Sequence, residues 1–171
     1  MTKQQELPAQ LASILAQFSL TDVMSKHVLT VYEGWSIKRL SQFFLKHNIS
    51  GAPVIAADDE LVGVVSQSDI IRFESVDPDK QQIIKLVRQY SGPFGGPIDE
   101  AEVLRIQSHA KDYCTVNSIM TSKVIAIDIN SSLEAAYILI LNTQVQRIFI
   151  TQQGLLVGVL TAMDILRIIA Q

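Results

Sequence analysis

The stretch Gly63-Val64-Val65-Ser66-Gln67-Ser68-Asp69-Ile70-Ile71-Arg72 decides the fold, because it occurs twice in the chain. Its second copy is Gly158-Val159-Leu160-Thr161-Ala162-Met163-Asp164-Ile165-Leu166-Arg167. Each copy predicts a strand that runs into a helix, since an aliphatic run is followed by a serine or threonine N-cap and an amphipathic segment. A helix N-terminus presents free backbone N–H groups, and the aspartate in the first turn suits the helix dipole. Each copy is therefore a candidate anion site.

The composition predicts a globular protein with a substantial core. Of the 171 residues, 48% are hydrophobic and 18% are charged, and the formal net charge is -3. Without a dense cluster of Lys and Arg, nucleic acid is not an expected partner.

Cys114 is the only cysteine, which excludes an internal disulfide and fits a reducing compartment. We expect a soluble cytoplasmic protein with no membrane association, because the sequence shows neither a secretory signal nor an apolar run long enough to span a bilayer.

The repeat extends upstream of the motif. Met24 matches Met120, Val28 matches Val124, and a predicted helix at 37–47 matches one at 133–143, all at one constant spacing. The spacing falls by one residue only after a hairpin turn, where an insertion or deletion is easily accommodated. Each copy has the order strand, helix, strand, strand, helix, with the first strand predicted at 28–31 and a turn at 50–53. We therefore predict a mixed α+β fold of two β-α-β-β-α repeats that pack sheet-to-sheet as a pseudo-twofold pair and enclose two clefts.

Four segments are predicted along the chain. Residues 1–20 form a lead-in helix with an apolar face, 21–73 form the first repeat, 74–114 form a helical insertion, and 115–171 form the second repeat. The insertion combines two predicted helices with a break rich in Gly and Pro. Two interpretations of it stay open, namely a helical linker strapped over the core and a partner-contact or gating element.

The repeated pattern resembles the CBS domain family, named after cystathionine beta-synthase, in its tandem form, the Bateman module. The matching features are the Met-Ser/Thr start of each repeat, the valine-rich first strand, Ile49-Ser50-Gly51-Ala52-Pro53-Val54 and both Gly-x-x-Ser/Thr-x-x-Asp motifs. The resemblance covers most of the chain. It implies a stand-alone, non-catalytic regulatory module that binds an adenine nucleotide (AMP, ADP or ATP) or S-adenosylmethionine, with no further cofactor.

The resemblance also implies partners. A ligand-dependent change would be read by a regulated protein, and the module would pair with a second copy as a homodimer through its helices. The apolar positions predicted for that interface are Leu166, Ile168 and Ile169, together with Ile70, Ile71 and Phe73.

Roles for individual residues follow from the resemblance. Asp69 and Asp164 would accept hydrogen bonds from ribose hydroxyls, and Ser66 and Thr161 would donate to a phosphate. Arg147 lies where family members often carry a basic residue that reaches phosphates. The first predicted site comprises Met24, Val28, Ile49, Ser50, Ala52, Pro53, Ser66, Ser68 and Asp69. The second comprises Met120, Val124, Val145, Gln146, Arg147, Thr161, Met163 and Asp164.

Two departures from the family pattern predict unequal sites. Phe149 stands where the first repeat has Pro53, which reshapes the adenine edge of the second site. Gly51 stands where the second repeat has Arg147, so the first site lacks that phosphate contact. Aspartates at helix starts are also good caps, so a capping role without a ligand stays open. So does a ligand-free module for dimerisation or partner docking.

Other chemistry is not expected from the sequence. His27, His47 and His109 have no metal-like spacing, so no metal site is predicted. No glycine-rich phosphate loop of the Walker type and no recognisable nucleophile-and-base set is present, so no catalytic residues are assigned.

Overall fold

The computed structural model describes residues 7–75 and 114–170. The predicted helices of the insertion lie outside this part of the chain. The helices and strands are α1 (Ala9–Leu15), α2 (Leu20–Val23), β1 (Val31–Tyr32), α3 (Ile37–His47), β2 (Gly51–Ile55), β3 (Leu61–Ser66), α4 (Gln67–Ser75), α5 (Val116–Ile119), β4 (Ala126–Asp128), α6 (Leu133–Thr143), β5 (Arg147–Gln152), β6 (Leu155–Thr161) and α7 (Ala162–Ile169). None of these described helices is long and apolar enough to cross a bilayer.

Each repeat builds one three-stranded sheet, with strand orders β1-β2-β3 and β4-β5-β6. The first strand of each sheet pairs in parallel with the second, so Val31 lies opposite Val54 and Ala126 lies opposite Phe149. In the second sheet, β5 and β6 are antiparallel. The parallel pair in each repeat is joined by a crossover helix, α3 or α6, as such a connection requires. The predicted α+β class and the β-α-β-β-α order are confirmed.

The crossover helices α3 and α6 begin and end at the predicted residues. Both starts are capped, because the hydroxyls of Ser36 and Ser132 accept backbone N–H groups three residues on, at 3.2 and 3.1 Å. Both helices end at a residue in the left-handed conformation, Asn48 with φ 51° and Gln144 with φ 54°. Local sequence signals alone therefore define these two helices.

The first strand and the turn before the second strand were predicted wrongly. β1 contains only Val31 and Tyr32, because only these two residues pair with β2. The predicted turn at 50–53 is instead largely strand, since β2 begins at Gly51. Pro53 lies inside β2, and the ladder with β1 starts at the next residue, Val54. The equivalent residue in the second repeat, Phe149, donates its backbone N–H to Ile125 O at 3.1 Å, a hydrogen bond that Pro53 cannot make.

The predicted lead-in helix is shorter than the sequence suggested. α1 ends at Leu15, and α2 begins at Leu20 after an extended Ser19 with φ -87° and ψ 164°. The backbone N–H and the hydroxyl of Ser19 both donate to Asp22 Oδ2, at 2.8 and 2.6 Å. This N-terminal hydrogen bonding starts a separate helix and so interrupts the apolar pattern.

The described residues form two compact units that do not follow the repeat boundaries. Unit 1 contains residues 7–29, 59–61 and 124–170, and unit 2 contains residues 30–58, 62–75 and 114–123. In unit 1, Ser25 and Val159 exchange backbone hydrogen bonds of 2.9 and 3.0 Å. In unit 2, Thr121 and Val64 exchange two of 2.9 Å. The segment that leads into each repeat is thus part of the unit that holds the other repeat's motif.

Each unit has its own apolar core. In unit 1, α1 packs against α6 and α7 and buries Leu15 fully, and Leu20 at the start of α2 is also fully buried. Burial of one such leucine is worth about 1.5–3 kcal/mol, so the N-terminal segment stabilises the unit that carries the second motif. The buried core of unit 1 comprises Leu15, Leu20, Met24, Leu133, Ala136, Ile140, Ile148, Ile150, Leu160, Ile165 and Ile168. That of unit 2 comprises Val31, Ile37, Leu40, Phe44, Ala52, Val54, Val65, Ile70, Cys114 and Val116.

Candidate ligand-binding sites

The second motif forms a capped junction between β6 and α7. Thr161 is extended, with φ -108° and ψ 158°, and its hydroxyl accepts the backbone N–H of Asp164 at 3.2 Å. In return, Asp164 Oδ2 accepts the backbone N–H of Thr161 at 2.9 Å and its hydroxyl at 2.6 Å. This reciprocal capping box holds the carboxylate in one orientation at the helix start.

The first motif repeats the contacts of the carboxylate between β3 and α4. Asp69 Oδ2 accepts the backbone N–H of Ser66 at 2.8 Å and its hydroxyl at 2.7 Å. The two carboxylate side chains are similarly enclosed, with 12% of Asp69 and 14% of Asp164 exposed. In both junctions the hydroxyl hydrogen is donated to the aspartate, so donation to a phosphate would require the hydroxyl of Ser66 or Thr161 to rotate.

An arginine occupies the second oxygen of each carboxylate. Arg72 Nη1 lies 3.2 Å from Asp69 Oδ1, and Arg167 Nη1 lies 3.0 Å from Asp164 Oδ1. Both arginines are largely in solvent, with 73% and 71% of their side chains exposed. Each aspartate therefore has one oxygen fixed by the helix cap and one bound by an exposed cation.

Capping alone does not distinguish a ligand site. Ser19 and Asp22 make the same two contacts outside both motifs. These contacts lower the pKa of Asp22, first through the Ser19 hydroxyl and then through the Ser19 backbone, against a smaller raising effect of desolvation; the charge of Lys26 adds the smallest lowering contribution. The ligand interpretation of Asp69 and Asp164 thus depends on what surrounds them.

The residue that starts each motif helix is tied to the segment before the central strand. The backbone N–H of Gln67 donates to Ser50 O at 2.9 Å, and that of Ala162 donates to Gln146 O at 3.0 Å. The Gln67 side chain also donates to Ile49 O at 3.1 Å. The structure therefore brings predicted adenine-side residues of both sites next to the corresponding motif.

Arg147 and Phe149 lie on β5 beside the second motif. Arg147 is paired with Thr161, and Phe149 is paired with Val159. Alternation along the strand puts Arg147 and Phe149 on one face, opposite the core residues Ile148 and Ile150. Arg147 is exposed, whereas Phe149 is only 7% exposed. The position of Arg147 thus suits a contact with an anion at the start of α7.

The equivalent position in the first repeat is closely confined. A Cβ built on Gly51 would lie 3.2 Å from Val65 O and 3.7 Å from the Cβ of Ser66. This residue therefore lies directly beside the first motif but offers no side chain to a ligand. Gly51 and Arg147, the two positions from which unequal sites were predicted, therefore lie beside their respective motifs.

Some predicted site residues lie in different units. Met24 and Val28 belong to unit 1, whereas Ser66 and Asp69 belong to unit 2. Met120 belongs to unit 2, whereas the other members of the second set, including Val124, belong to unit 1. The ligand-binding roles given to the members of both sets stay predictions.

The remaining predicted residues differ in exposure. Ala52 is buried in the core of unit 2, and Pro53 is buried beside it in β2. Val145 packs against the core of unit 1. Ser68 and Met163 are exposed in the first turns of α4 and α7. Ser50, Gln146 and Arg147, in or next to the central strands, are exposed as well.

The sequence interpretation missed the arginines at the two aspartates. Arg72 and Arg167 each follow their aspartate by three residues on a helix, which is a spacing that brings two side chains together. Both arginines belong to the repeated stretch, so the spacing was visible in the sequence. Gln67 was also missed, because its contact with Ile49 joins positions distant in the chain.

Metal chemistry has no visible support within residues 7–75 and 114–170. No group of three or more His, Cys, Asp or Glu side chains there is arranged to hold an ion. His109 lies outside these ranges.

The CBS domain family model matches residues 20–76 and 116–171. Because the two matches cover more than half of the chain, the protein belongs to the CBS domain family, as a tandem pair. The family resemblance read from the repeated motif is thereby confirmed.

Three relatives illustrate this membership. The uncharacterized protein MJ1426 of Methanocaldococcus jannaschii is 27% identical over 158 residues, which cover 86% of this chain and 88% of that protein. A crystal structure of CBSX2 in complex with AMP has a TM-score of 0.62 at 22% identity and covers 90% of this chain and 97% of that one; the CBSX2 sequence is from Arabidopsis thaliana. The CBS domain pair of protein MJ0100, in complex with 5′-methylthioadenosine and S-adenosyl-L-methionine, has a TM-score of 0.57 at 19% identity and covers 90% of this chain and 96% of that one. At these identities the two structural likenesses concern the fold.

Proposed function

We propose that the protein is a non-catalytic regulatory module that binds an adenosine-containing ligand at its two strand-to-helix junctions. The observation that carries the proposal is the doubled, enclosed carboxylate of Asp69 and Asp164, each oriented by its own helix cap. A carboxylate fixed in this way can accept hydrogen bonds from a ribose hydroxyl without first losing side-chain freedom. The AMP complex of CBSX2 and the S-adenosyl-L-methionine complex of MJ0100 support this ligand class.

The surroundings favour a phosphorylated ligand at the second junction. Arg147 is paired with Thr161 and is exposed, so its guanidinium is available to an anion beside the start of α7. Gly51 provides no such group in the first repeat. The proposal therefore includes two unequal sites, of which the one at Asp164 prefers AMP, ADP or ATP over an uncharged adenosine derivative.

Signalling would proceed through a change in conformation or assembly. A ligand that binds one arrangement of the protein better than another shifts the balance between them, and a regulated protein partner reads the shift. We place this activity in the cytoplasm, in keeping with the single cysteine. No further cofactor is part of the proposal.

A homodimer is part of the same proposal, with a narrower interface than the sequence suggested. Ile70 and Ile168 are buried in the cores of units 2 and 1, which leaves them unable to contact a second copy. Ile71 and Leu166 occupy equivalent positions on α4 and α7 and are 62% and 54% exposed. These two residues support pairing through the motif helices. Sedimentation of Ile71→Lys and Leu166→Lys variants, compared with the wild-type protein, tests it.

Isothermal titration with AMP, ADP, ATP and S-adenosylmethionine tests the ligand proposal. The Asp69→Ala and Asp164→Ala variants should each lose binding at one site. Asp22→Ala is the matched control, because it removes an equivalent helix cap outside both motifs. Binding by the wild-type protein that is indifferent to Asp69 and Asp164, or weakened equally by Asp22→Ala, argues against the assigned sites.

A ligand-free docking or dimerisation module is the second candidate function. Phe149 favours it, because a nearly buried aromatic ring replaces the proline of the first repeat on the strand face shared with Arg147. Absence of any heat of binding with all four ligands, from a folded protein that still self-associates, supports this alternative over the sensor.

A further inference from the structure

Arg72 and Arg167 make the same contact in both repeats. Each guanidinium binds the Oδ1 atom of the motif aspartate, while Oδ2 is used by the helix cap. The cap cannot be removed without exposing the backbone N–H of the N-cap residue. Because Oδ2 already accepts two hydrogen bonds and Oδ1 accepts only the one from the arginine, a ligand hydroxyl that binds the aspartate must share Oδ1 with the guanidinium or displace it.

We propose that Arg72 and Arg167 are competitive latches that lower the affinity of each site by holding the oxygen a ribose hydroxyl would use. This inference rests on the proposed function and concerns the regulation of the same two sites. The geometry suits a reversible latch, because the aspartate is enclosed whereas the arginine is more than two-thirds exposed. The arginine can swing into water without disturbing the core, and the aspartate stays in place.

The strength of the contact sets the size of the effect. An exposed ion pair between residues three apart on a helix is weak. The need to break it lowers the affinity of the site for its ligand by about two- to fivefold. Such a latch tunes the concentration at which the site fills without blocking it. Because exposed ion pairs are screened by dissolved ions, raising the ionic strength releases the latch.

The latch has an unusual signature with an uncharged ligand. Adenosine carries no phosphate, so salt does not screen any charge on it. The wild-type protein should nevertheless bind adenosine more tightly as the salt concentration rises, because the competing arginine is weakened. The Arg72→Met and Arg167→Met variants should bind adenosine about two- to fivefold more tightly at low salt and lose this extra salt dependence at their own site.

The experiment is isothermal titration of the full chain with adenosine and with AMP, at low and high salt. Each arginine variant is the control for the other, because the two arginines lie in different units. Lys46→Met is the control for removal of a positive charge from an exposed helix position that belongs to neither motif. For AMP, the gain in affinity of each arginine variant is judged relative to Lys46→Met, because the loss of any positive charge from the protein weakens its attraction for an anion.

The outcomes separate the latch from the proposed function. Tighter binding by an arginine variant than by Lys46→Met, with a reduced salt dependence, supports the latch. Binding that is abolished by Asp164→Ala but unchanged in Arg167→Met overturns the latch and leaves the ligand site intact. No binding of either ligand to any form of the protein overturns the proposed function, and the latch with it.

Discussion

The side chain of Met120 packs directly against the backbone of Gly63, the first residue of the first motif. A Cβ built on Gly63 would lie 2.6 Å from Met120 Sδ and 3.2 Å from Thr121 O. Met24 and Gly158 repeat the relationship in unit 1, where a Cβ would lie 2.5 Å from the sulfur atom. Each motif glycine is therefore needed to admit the lead-in segment of the other repeat. Because Gly63 and Asp69 belong to one motif, as do Gly158 and Asp164, this packing contact and the candidate ligand site lie in the same stretch of each repeat.

We predict that Gly63→Ala and Gly158→Ala destabilise the protein by about 1–3 kcal/mol each, because the added methyl overpacks the methionine. Denaturant unfolding measures the change. The cost of Gly63→Ala should fall in a Met120→Ala background, since the clash is then relieved. Gly34→Ala is the control, because a Cβ at Gly34 would meet no atom within 4 Å. Equal effects at Gly34 and Gly63 would contradict the packing account.

The helix start at Ser19 predicts a dependence on acid. The pKa of Asp22 is lowered from its ordinary value of 3.8 by the Ser19 hydroxyl and backbone. A carboxyl group with a lowered pKa stabilises the folded state above the unfolded value and loses this contribution as the pH falls through the folded value. Asp22→Asn should therefore be less stable than the wild-type protein at neutral pH, and the difference should shrink below pH 3.8. Thermal unfolding across this range measures it, and a difference that grows on acidification would show that the sign is wrong.

Cys114 should be an unreactive thiol in the folded protein. It is 1% exposed, and burial raises the pKa of the thiol, so little thiolate forms at neutral pH. Alkylation should be slow under native conditions and rapid in urea, with mass spectrometry to follow it. Because the folded pKa is raised, the folded protein also loses stability relative to the unfolded chain as the pH rises above the ordinary thiol value of 9.0. Rapid native alkylation would place this residue outside the core of unit 2.

Arg147→Gly tests the inequality of the two sites. It gives the second repeat the residue that the first repeat has at Gly51. A charge-assisted hydrogen bond to phosphate is worth about 1.5 kcal/mol, so AMP affinity at the second site should fall roughly tenfold. Adenosine affinity should stay unchanged, because the nucleoside has no phosphate. A parallel loss for both ligands would mean that Arg147 supports the strand and does not contact the phosphate.

The sequence predicted those parts of the fold that local signals define. Ser36 and Asn48 delimit α3 through an N-cap and a left-handed C-cap, so both ends of the helix were found. The strand predicted at 28–31 was wrong because a strand also needs a partner, and β2 reaches only Val31 and Tyr32. Periodicity along one segment does not reveal where its neighbour ends.

The sequence also did not predict that the segment leading into each repeat packs in the unit that holds the other repeat's motif, and the reason is related. Met24 and Met120 occupy matching positions, so the repeat itself does not reveal which motif each one contacts. Pairing of Ser25 with Val159 is a tertiary contact between residues far apart in the chain. The motif aspartates and their caps were predicted, whereas the contacts of Arg72 and Arg167 with the outer carboxylate oxygens were missed, although their spacing from the aspartates is present in the sequence.

Native mass spectrometry of the full chain with AMP tests the central claim most directly, because it counts bound ligands on each form of the protein. The account predicts ligand on the wild-type protein, fewer ligands per chain on Asp69→Ala or Asp164→Ala, and none on the double variant. Asp22→Ala should retain the wild-type count. A double variant that keeps the wild-type count of AMP would contradict the account, since neither motif aspartate would then hold the ligand.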